Sequence, residues 1–113
     1  MADKDRGTMR DEDYVIVRRF HSDIIRELDS RSILDRLFSS FLFDSDDLDQ
    51  VRSEHDKNGR RAGSQKIMEI LYHSGADAFP KFLECLRKAG YAQLVRRLEE
   101  GIQEANKERS LSE

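Results

Sequence analysis

The sequence predicts an all-α protein, folded as a compact antiparallel bundle of six amphipathic helices. Apolar residues recur at the i, i+3, i+4, i+7 spacing that lines one face of a helix. The spacing is clearest in two adjacent sets: Phe79, Phe82, Leu83 and Leu86, then Tyr91, Leu94, Val95 and Leu98. No strand-like alternation is present and the segments between the apolar stripes are short. Such helices bury their apolar faces by packing on one another.

Length and composition exclude several classes of protein. A chain of 113 residues fits one domain and is too short for a protease or kinase with its own cleft. The net charge of −3 argues against general affinity for nucleic acid or for an anionic membrane surface. No apolar run is long enough to span a bilayer, and a single cysteine, Cys85, excludes an intrachain disulfide. We expect a protein of the cytoplasm, a reducing compartment.

The first 42 positions or so predict a leader and two helices. Residues 1–10 are polar and predict a flexible leader. The first helix begins near Asp11 and continues for about 18 residues. Ser30 or Ser32 caps the second helix. The apolar stripe of the first helix is Tyr14, Val17, Phe20, Ile24 and Leu28, and that of the second is Leu34, Leu37, Phe38 and Phe41.

The middle of the chain predicts a short acidic helix followed by a loop. Asp44 or Ser45 caps this third helix, whose apolar edge contains only Leu48 and Val51. Residues 53–61 contain no apolar side chain and include an Asn-Gly pair, which is typical of a loop.

Three more elements complete the prediction. Helix four begins near Arg61 and ends at a Ser-Gly pair, where glycine closes a helix. Asp77 caps helix five, so Pro80 falls in the first turn, where its missing N–H has no helical partner in any case. Helix six begins near Tyr91, and residues 105–113 form a polar tail or linker.

Charge changes sign abruptly in the middle of the chain. Residues 43–56 carry six acids against Arg52, a net of −5, whereas residues 57–66 carry four bases and no acid, a net of +4. Opposite patches on one domain suit head-to-tail association between copies. Arg60 and Arg61 are the predicted basic anchors, because a guanidinium pairs bidentately with a carboxylate. The alternative is that both patches are ordinary solvated surface.

Three motifs in order resemble the caspase recruitment domain of the death-fold superfamily. They are LFSSFLFDSDDLDQV, GRRAGSQKIMEIL and HSGADAFPKFLECLRKAGYAQLVRRL. The resemblance covers residues 11–104; the stretch from RRAGSQKIMEIL to Gly90 is most like apoptosome-type initiator caspases, and Gly90-Tyr91 followed by Leu94 is similar to their scaffold proteins. It implies a six-helix Greek-key bundle with a bent first helix, which acts by homotypic binding and has no enzymatic activity.

The resemblance also implies where a partner binds. A basic face on helices one and four would contain Arg18, Arg19, Arg26, Arg60, Arg61 and Lys66. An acidic face on helices two and three would contain Asp35, Asp44, Asp46, Asp47, Asp49 and Glu54. The expected partner is another caspase recruitment domain, in a caspase, an adaptor or a scaffold, with self-association into helical oligomers as a further expectation. The expected role is apoptotic or inflammatory signalling. Alternatives are the prodomain of an initiator caspase whose protease domain lies beyond Glu113, and a decoy inhibitor.

Other candidate sites are weaker, and we predict no catalytic, cofactor-binding or metal-binding residues. Cys85 lies in an apolar stripe with no base nearby in sequence, which indicates a core thiol. The histidines His21, His55 and His73 lack metal-ligand spacing. Nucleic-acid binding by the basic stretch is disfavoured by net charge. Five phenylalanines are predicted to belong to the core: Phe38, Phe41, Phe43, Phe79 and Phe82.

Overall fold

The computed structural model describes residues 6–112, with side chains described for residues 6–110. These residues form seven helices and no strand, which confirms the all-α prediction. The helices are α1 (Asp11–Arg19), α2 (His21–Glu27), α3 (Ser30–Ser39), α4 (Ser45–Asn58), α5 (Arg60–Leu71), α6 (Ala78–Lys88) and α7 (Ala92–Ser112).

The predicted first helix is divided into α1 and α2 at Phe20. Phe20 has φ −99° and ψ 9°, which leaves the helical region between two helical segments. Its ring lies against Gly101 of α7, where a Cβ atom would come within 2.6 Å of Cε2 of the ring. Apolar spacing continues through Phe20, so periodicity alone gave no sign of a break.

Helix α4 is longer than its apolar edge indicates. The loop predicted over residues 53–61 is wrong, because the helix continues to Asn58 and only Gly59, with φ +96°, separates it from α5. A hydrogen bond joins the polar second half of α4 to the start of α3. Nδ1 of His55 and Oγ of Ser30 lie 2.8 Å apart.

The N-caps of α3 and α6 also differ from the predicted ones. Helix α3 begins after Asp29, whose carboxylate accepts a hydrogen bond from the backbone N–H of Arg31 at 3.1 Å. Ser30 is instead fully buried, and Ser32 lies two positions further into the helix. Asp77 precedes α6 without accepting a side-chain cap bond. Pro80 lies in the first turn of α6, as predicted.

Both ends of the described chain contact the bundle. Residues 1–5 of the predicted leader lie outside the described residues, but residues 6–9, here called the N-terminal strap, pack on the bundle. Met9 is 3% exposed and its N–H donates to the carbonyl of Tyr72 at 3.1 Å. The polar tail expected at 105–113 is helical as far as Ser112, and Nη1 of Arg109 donates to Glu12 of α1 at 3.0 Å.

The core is one cluster of buried apolar side chains to which all seven helices contribute. Helix α3 packs against α4, α5 and α6, while α2 packs on α5 and α7 packs on α1 and α6. Cys85 is buried as predicted, and its thiol donates to the carbonyl of Arg36 at 3.4 Å. Phe43, Phe79 and Phe82 are buried as predicted. The core assignment of Phe38 and Phe41 is wrong, since they are 48% and 90% exposed.

Candidate functional site

Arg60 joins α5 to the end of α2. Its Nη1 donates to the carbonyl of Leu28 at 2.9 Å and its Nη2 donates to the carbonyl of Arg26 at 3.2 Å. Oγ of Ser64, one turn further along α5, also donates to Leu28 at 2.9 Å. Carbonyls at the end of a helix have no partner within it. Arg60 therefore satisfies the end of α2 and fixes it on α5, which is a structural role.

Arg26 and Arg61 are exposed arginines next to the same junction. Arg61 is exposed, and within the described part of the chain it makes no side-chain hydrogen bond or ion pair. The side chain of Arg26 is 66% exposed and pairs with Asp23 at 2.7 Å. Because Arg60 reaches the carbonyl of Arg26, these three arginines form one group, called here the α2–α5 basic surface.

The other three predicted basic residues lie elsewhere. Arg18 and Arg19 belong to α1, which packs on α7, and Arg19 pairs with Glu104 of α7 at 3.5 Å. Lys66 pairs with Glu69 at 3.3 Å and lines a depression together with acidic residues of α4. It lies about 140° around α5 from Arg61, because each residue of a helix turns about 100°. Lys66 and Arg61 therefore face different directions around α5.

Asp47, predicted to contact a partner, is instead buried at the start of α4. It is 2% exposed, and its Oδ2 accepts hydrogen bonds from Arg6 at 2.8 Å and from the N–H of Asp44 at 2.9 Å. The carboxylate of Asp44 accepts in return from the N–H of Asp47 at 2.9 Å, completing a capping box. These two acids stabilise the beginning of α4, and Asp47 has no surface to offer.

The remaining predicted acids lie on the outer side of α3 and α4. Asp35, Asp46 and Asp49 are exposed and form what is called here the α3–α4 acidic surface. Glu54 is half-buried and accepts from the side chain of Asn58 at 3.1 Å.

Arginines interrupt the acidic surface. Asp35 lines a groove of about 320 Å³ between α3 and α4 together with Arg31, Arg52 and Asp56. Within it, Arg31 pairs with Asp56 at 3.5 Å. Charge is therefore balanced inside the groove, and net negative charge concentrates toward the first turns of α4.

An aromatic cluster that sequence reasoning missed connects α1, α2 and the end of α5. Nδ1 of His21 and the hydroxyl of Tyr72 lie 2.9 Å apart, and the rings of Tyr14 and Tyr72 meet edge to face with centroids 5.1 Å apart. Burial raises the pKa of Tyr72 and the neighbouring Tyr14 raises it further, whereas Arg18 acts in the opposite direction. The members of the cluster are too far apart in sequence for spacing to reveal it.

No group of three or more His, Cys, Asp and Glu side chains among the described residues is placed to hold a metal ion. None of the helices that the structure describes combines the length and apolar content needed to cross a bilayer.

These features define a small helical bundle with exposed arginines at Arg26 and Arg61 and exposed acids at Asp35, Asp46 and Asp49. The family model for the caspase recruitment domain matches residues 9–102, and the chain belongs to that family. Caspase recruitment domains are homotypic protein-interaction domains of apoptotic and inflammatory signalling and are not catalytic. A comparison with curated proteins found no match.

Proposed function

We propose that this domain recruits or oligomerises caspases or their adaptors by docking the α2–α5 basic surface of one domain on the α3–α4 acidic surface of another. The observation that carries the proposal is the exposed pair Arg26 and Arg61, held at one junction by Arg60. Their proposed counterparts are Asp35, Asp46 and Asp49, which are exposed on α3 and α4.

The positions of the predicted charged residues reduce the number that we propose to contact a partner directly. Arg60 and Asp47 serve the fold, through the end of α2 and the beginning of α4 respectively. Lys66 lies beside acids on its own chain. Arg18 and Arg19 sit on α1, so they would contribute long-range attraction and not direct pairing. The proposed contact therefore uses fewer residues than the charge pattern suggests.

In family terms, we propose that α1 and α2 together form the bent first helix of a six-helix Greek-key bundle. The break at Phe20 supports this assignment, because both segments lie within the single apolar stripe of the predicted first helix. The likeness of RRAGSQKIMEIL to apoptosome-type sequences supports a caspase or an apoptosome scaffold, in the cytoplasm, as the partner.

Charge reversal at Arg61 tests the proposal. Sedimentation velocity across a range of protein concentrations should show that wild-type association weakens as salt is raised. Arg61→Glu should weaken association by about tenfold or more at low salt, since it places a carboxylate opposite carboxylates. Far-ultraviolet circular dichroism should remain unchanged, because Arg61 has no partner within the described chain.

Two further variants make this result specific. Arg96→Glu is the matched control, since Arg96 is an exposed arginine of α7 and its reversal changes the net charge equally. It should associate like the wild type. An Asp49→Arg copy should bind the Arg61→Glu copy better than either binds itself. Arg61→Glu protein that associates like wild type would overturn the proposed basic surface.

A further inference from the structure

Two phenylalanines lie on the outside of the bundle at the end of α3. Phe38 is 48% exposed and Phe41, in the turn after the helix, is 90% exposed. Large aromatic side chains contribute most to stability when buried, so a neighbouring pair left in water suggests a binding surface. Of the other four phenylalanines, Phe43, Phe79 and Phe82 are buried and Phe20 is partly buried.

The backbone at Phe41 is unusual as well. Its φ is +63°, and within the described residues it is the one position other than glycine with a positive φ. It directly follows Ser40, the C-cap of α3, at a position that helices usually fill with glycine. Its N–H donates to the carbonyl of Phe38 at 3.0 Å. Since the exposed ring packs on little of its own chain, internal packing does not explain why phenylalanine occupies this position.

The pair borders the α3–α4 acidic surface. Asp35 and Phe38 are i, i+3 neighbours on the outer side of α3, and Asp46 lies in the first turn of α4. A surface that combines aromatic rings with carboxylates is best suited to bind a guanidinium group. Guanidinium pairs with carboxylates, lies flat on aromatic rings and is less strongly hydrated than ammonium.

The chain itself carries such guanidinium groups, at Arg26 and Arg61 of the α2–α5 basic surface. We propose that Phe38 and Phe41 are the apolar anchor of a contact with a second copy of this chain, and that they pack against the arginines of its α2–α5 basic surface. This inference rests on the proposed function and deepens it. The acids supply attraction and orientation, and the rings supply the apolar contact that slows dissociation.

Phe41→Gly separates binding from folding. Glycine adopts a positive φ without steric cost, so the variant should unfold at the same or a higher temperature than the wild type. Self-association measured by sedimentation velocity should nevertheless weaken by about tenfold, as is usual when a central aromatic anchor is truncated. Val15→Ser is the matched control, because Val15 is a 61% exposed apolar residue of α1 and its loss should leave association unchanged.

A double variant tests whether the two sites meet. If Phe41 and Arg61 act in one contact, Phe41→Gly with Arg61→Glu should weaken association by less than the product of the separate effects. Wild-type-like association of folded Phe41→Gly, with Arg61→Glu still defective, overturns the anchor and leaves the proposed function standing. If the Arg61→Glu variant associates like the wild type, the phenylalanine anchor and the proposed function are both overturned. A wild-type chain that stays monomeric at every concentration excludes a second copy as the occupant and overturns the inference.

Discussion

Gly63 lies where three helices meet. A Cβ atom at this position of α5 would come within 2.6 Å of Oγ of Ser30 and 3.1 Å of Cβ of His55. Ser30 and His55 are themselves joined by the 2.8 Å hydrogen bond that links α3 to α4. The missing side chain of Gly63 therefore sets how closely α5 approaches the other two helices.

Gly63→Ala should lower the free energy of unfolding by about 1–3 kcal/mol, the usual cost of overpacking a tight site. Urea unfolding measures this change. Gln65→Ala, at an exposed position of the same helix, should change the free energy by less than about 0.5 kcal/mol. Adding Ser30→Ala to Gly63→Ala should restore part of the loss by removing the oxygen that clashes. If it restores nothing, the cost does not come from this contact.

Tyr72 makes stability depend on pH in the alkaline range. Burial raises its pKa above the usual value of 10.0, because the phenolate is poorly solvated there. The unfolded chain then loses this proton at a lower pH than the folded chain does. The stability contribution is fully present below about pH 10 and is lost as pH rises through the higher folded-state pKa.

Absorbance at 295 nm during alkaline titration should therefore show a phenol that ionises above pH 10, and Tyr72→Phe should remove it. The variant should also lose less stability than the wild type between neutral pH and about pH 11. His21→Ala provides a comparison, since it removes the hydrogen bond to Tyr72 and keeps the phenol. Equal pH dependence in the wild type and Tyr72→Phe would contradict this assignment.

At the scale of elements, apolar periodicity predicted the helices but misjudged where they end. It identified a buried face for every helix because burial of that face is what stabilises it. It placed the end of α4 too early, since His55 and Gly59 act through a long-range hydrogen bond and a backbone conformation. It missed the break at Phe20, where the apolar spacing continues and the ring packs against Gly101 of a distant helix.

For the candidate site as well, sequence composition identified the charged residues but not which of them serve the fold and which lie on the surface. Charge counts identified Arg61 and Asp49, which the structure places on the surface. They also selected Arg60 and Asp47, because a charge at a binding surface and a charge that caps a helix look alike in sequence. Which role applies depends on partners more than 30 residues away, such as Leu28 for Arg60 and Arg6 for Asp47.

At the scale of the whole molecule, the N-terminal strap connects parts of the bundle that are distant in sequence. Arg6 donates to Asp47 of α4 at 2.8 Å and to Ser74, beyond α5, at 3.3 Å. The carbonyl of Gly7 accepts from the N–H of Gly75 at 3.0 Å. Gly75 has φ +98°, and a Cβ atom there would lie 2.9 Å from the carbonyl oxygen of Arg6. The strap therefore fits only over glycine.

Gly75→Ala should release the strap. Hydrogen exchange at the N–H of Met9, which donates to Tyr72, should become faster by an order of magnitude or more, because that bond opens with the strap. Gly90→Ala is the matched control: Gly90 has φ +93° and nothing within 4 Å of its would-be Cβ atom. Both variants should lose about 1–2 kcal/mol of stability from backbone strain. If the N–H of Met9 exchanges at the same rate in Gly75→Ala and Gly90→Ala, the close approach of Gly75 to Arg6 does not hold the strap.

The strap also determines the order in which the chain can fold during synthesis. Arg6 leaves the ribosome before its partner Ser74, which is 68 residues further along, and Glu12 pairs with Arg109 after 97 residues. The hairpin of α4 and α5 needs only neighbouring sequence and can form sooner. The strap is therefore translated before its partners and is among the last parts of the bundle to reach its native place, and α1 waits for α7 to close the bundle.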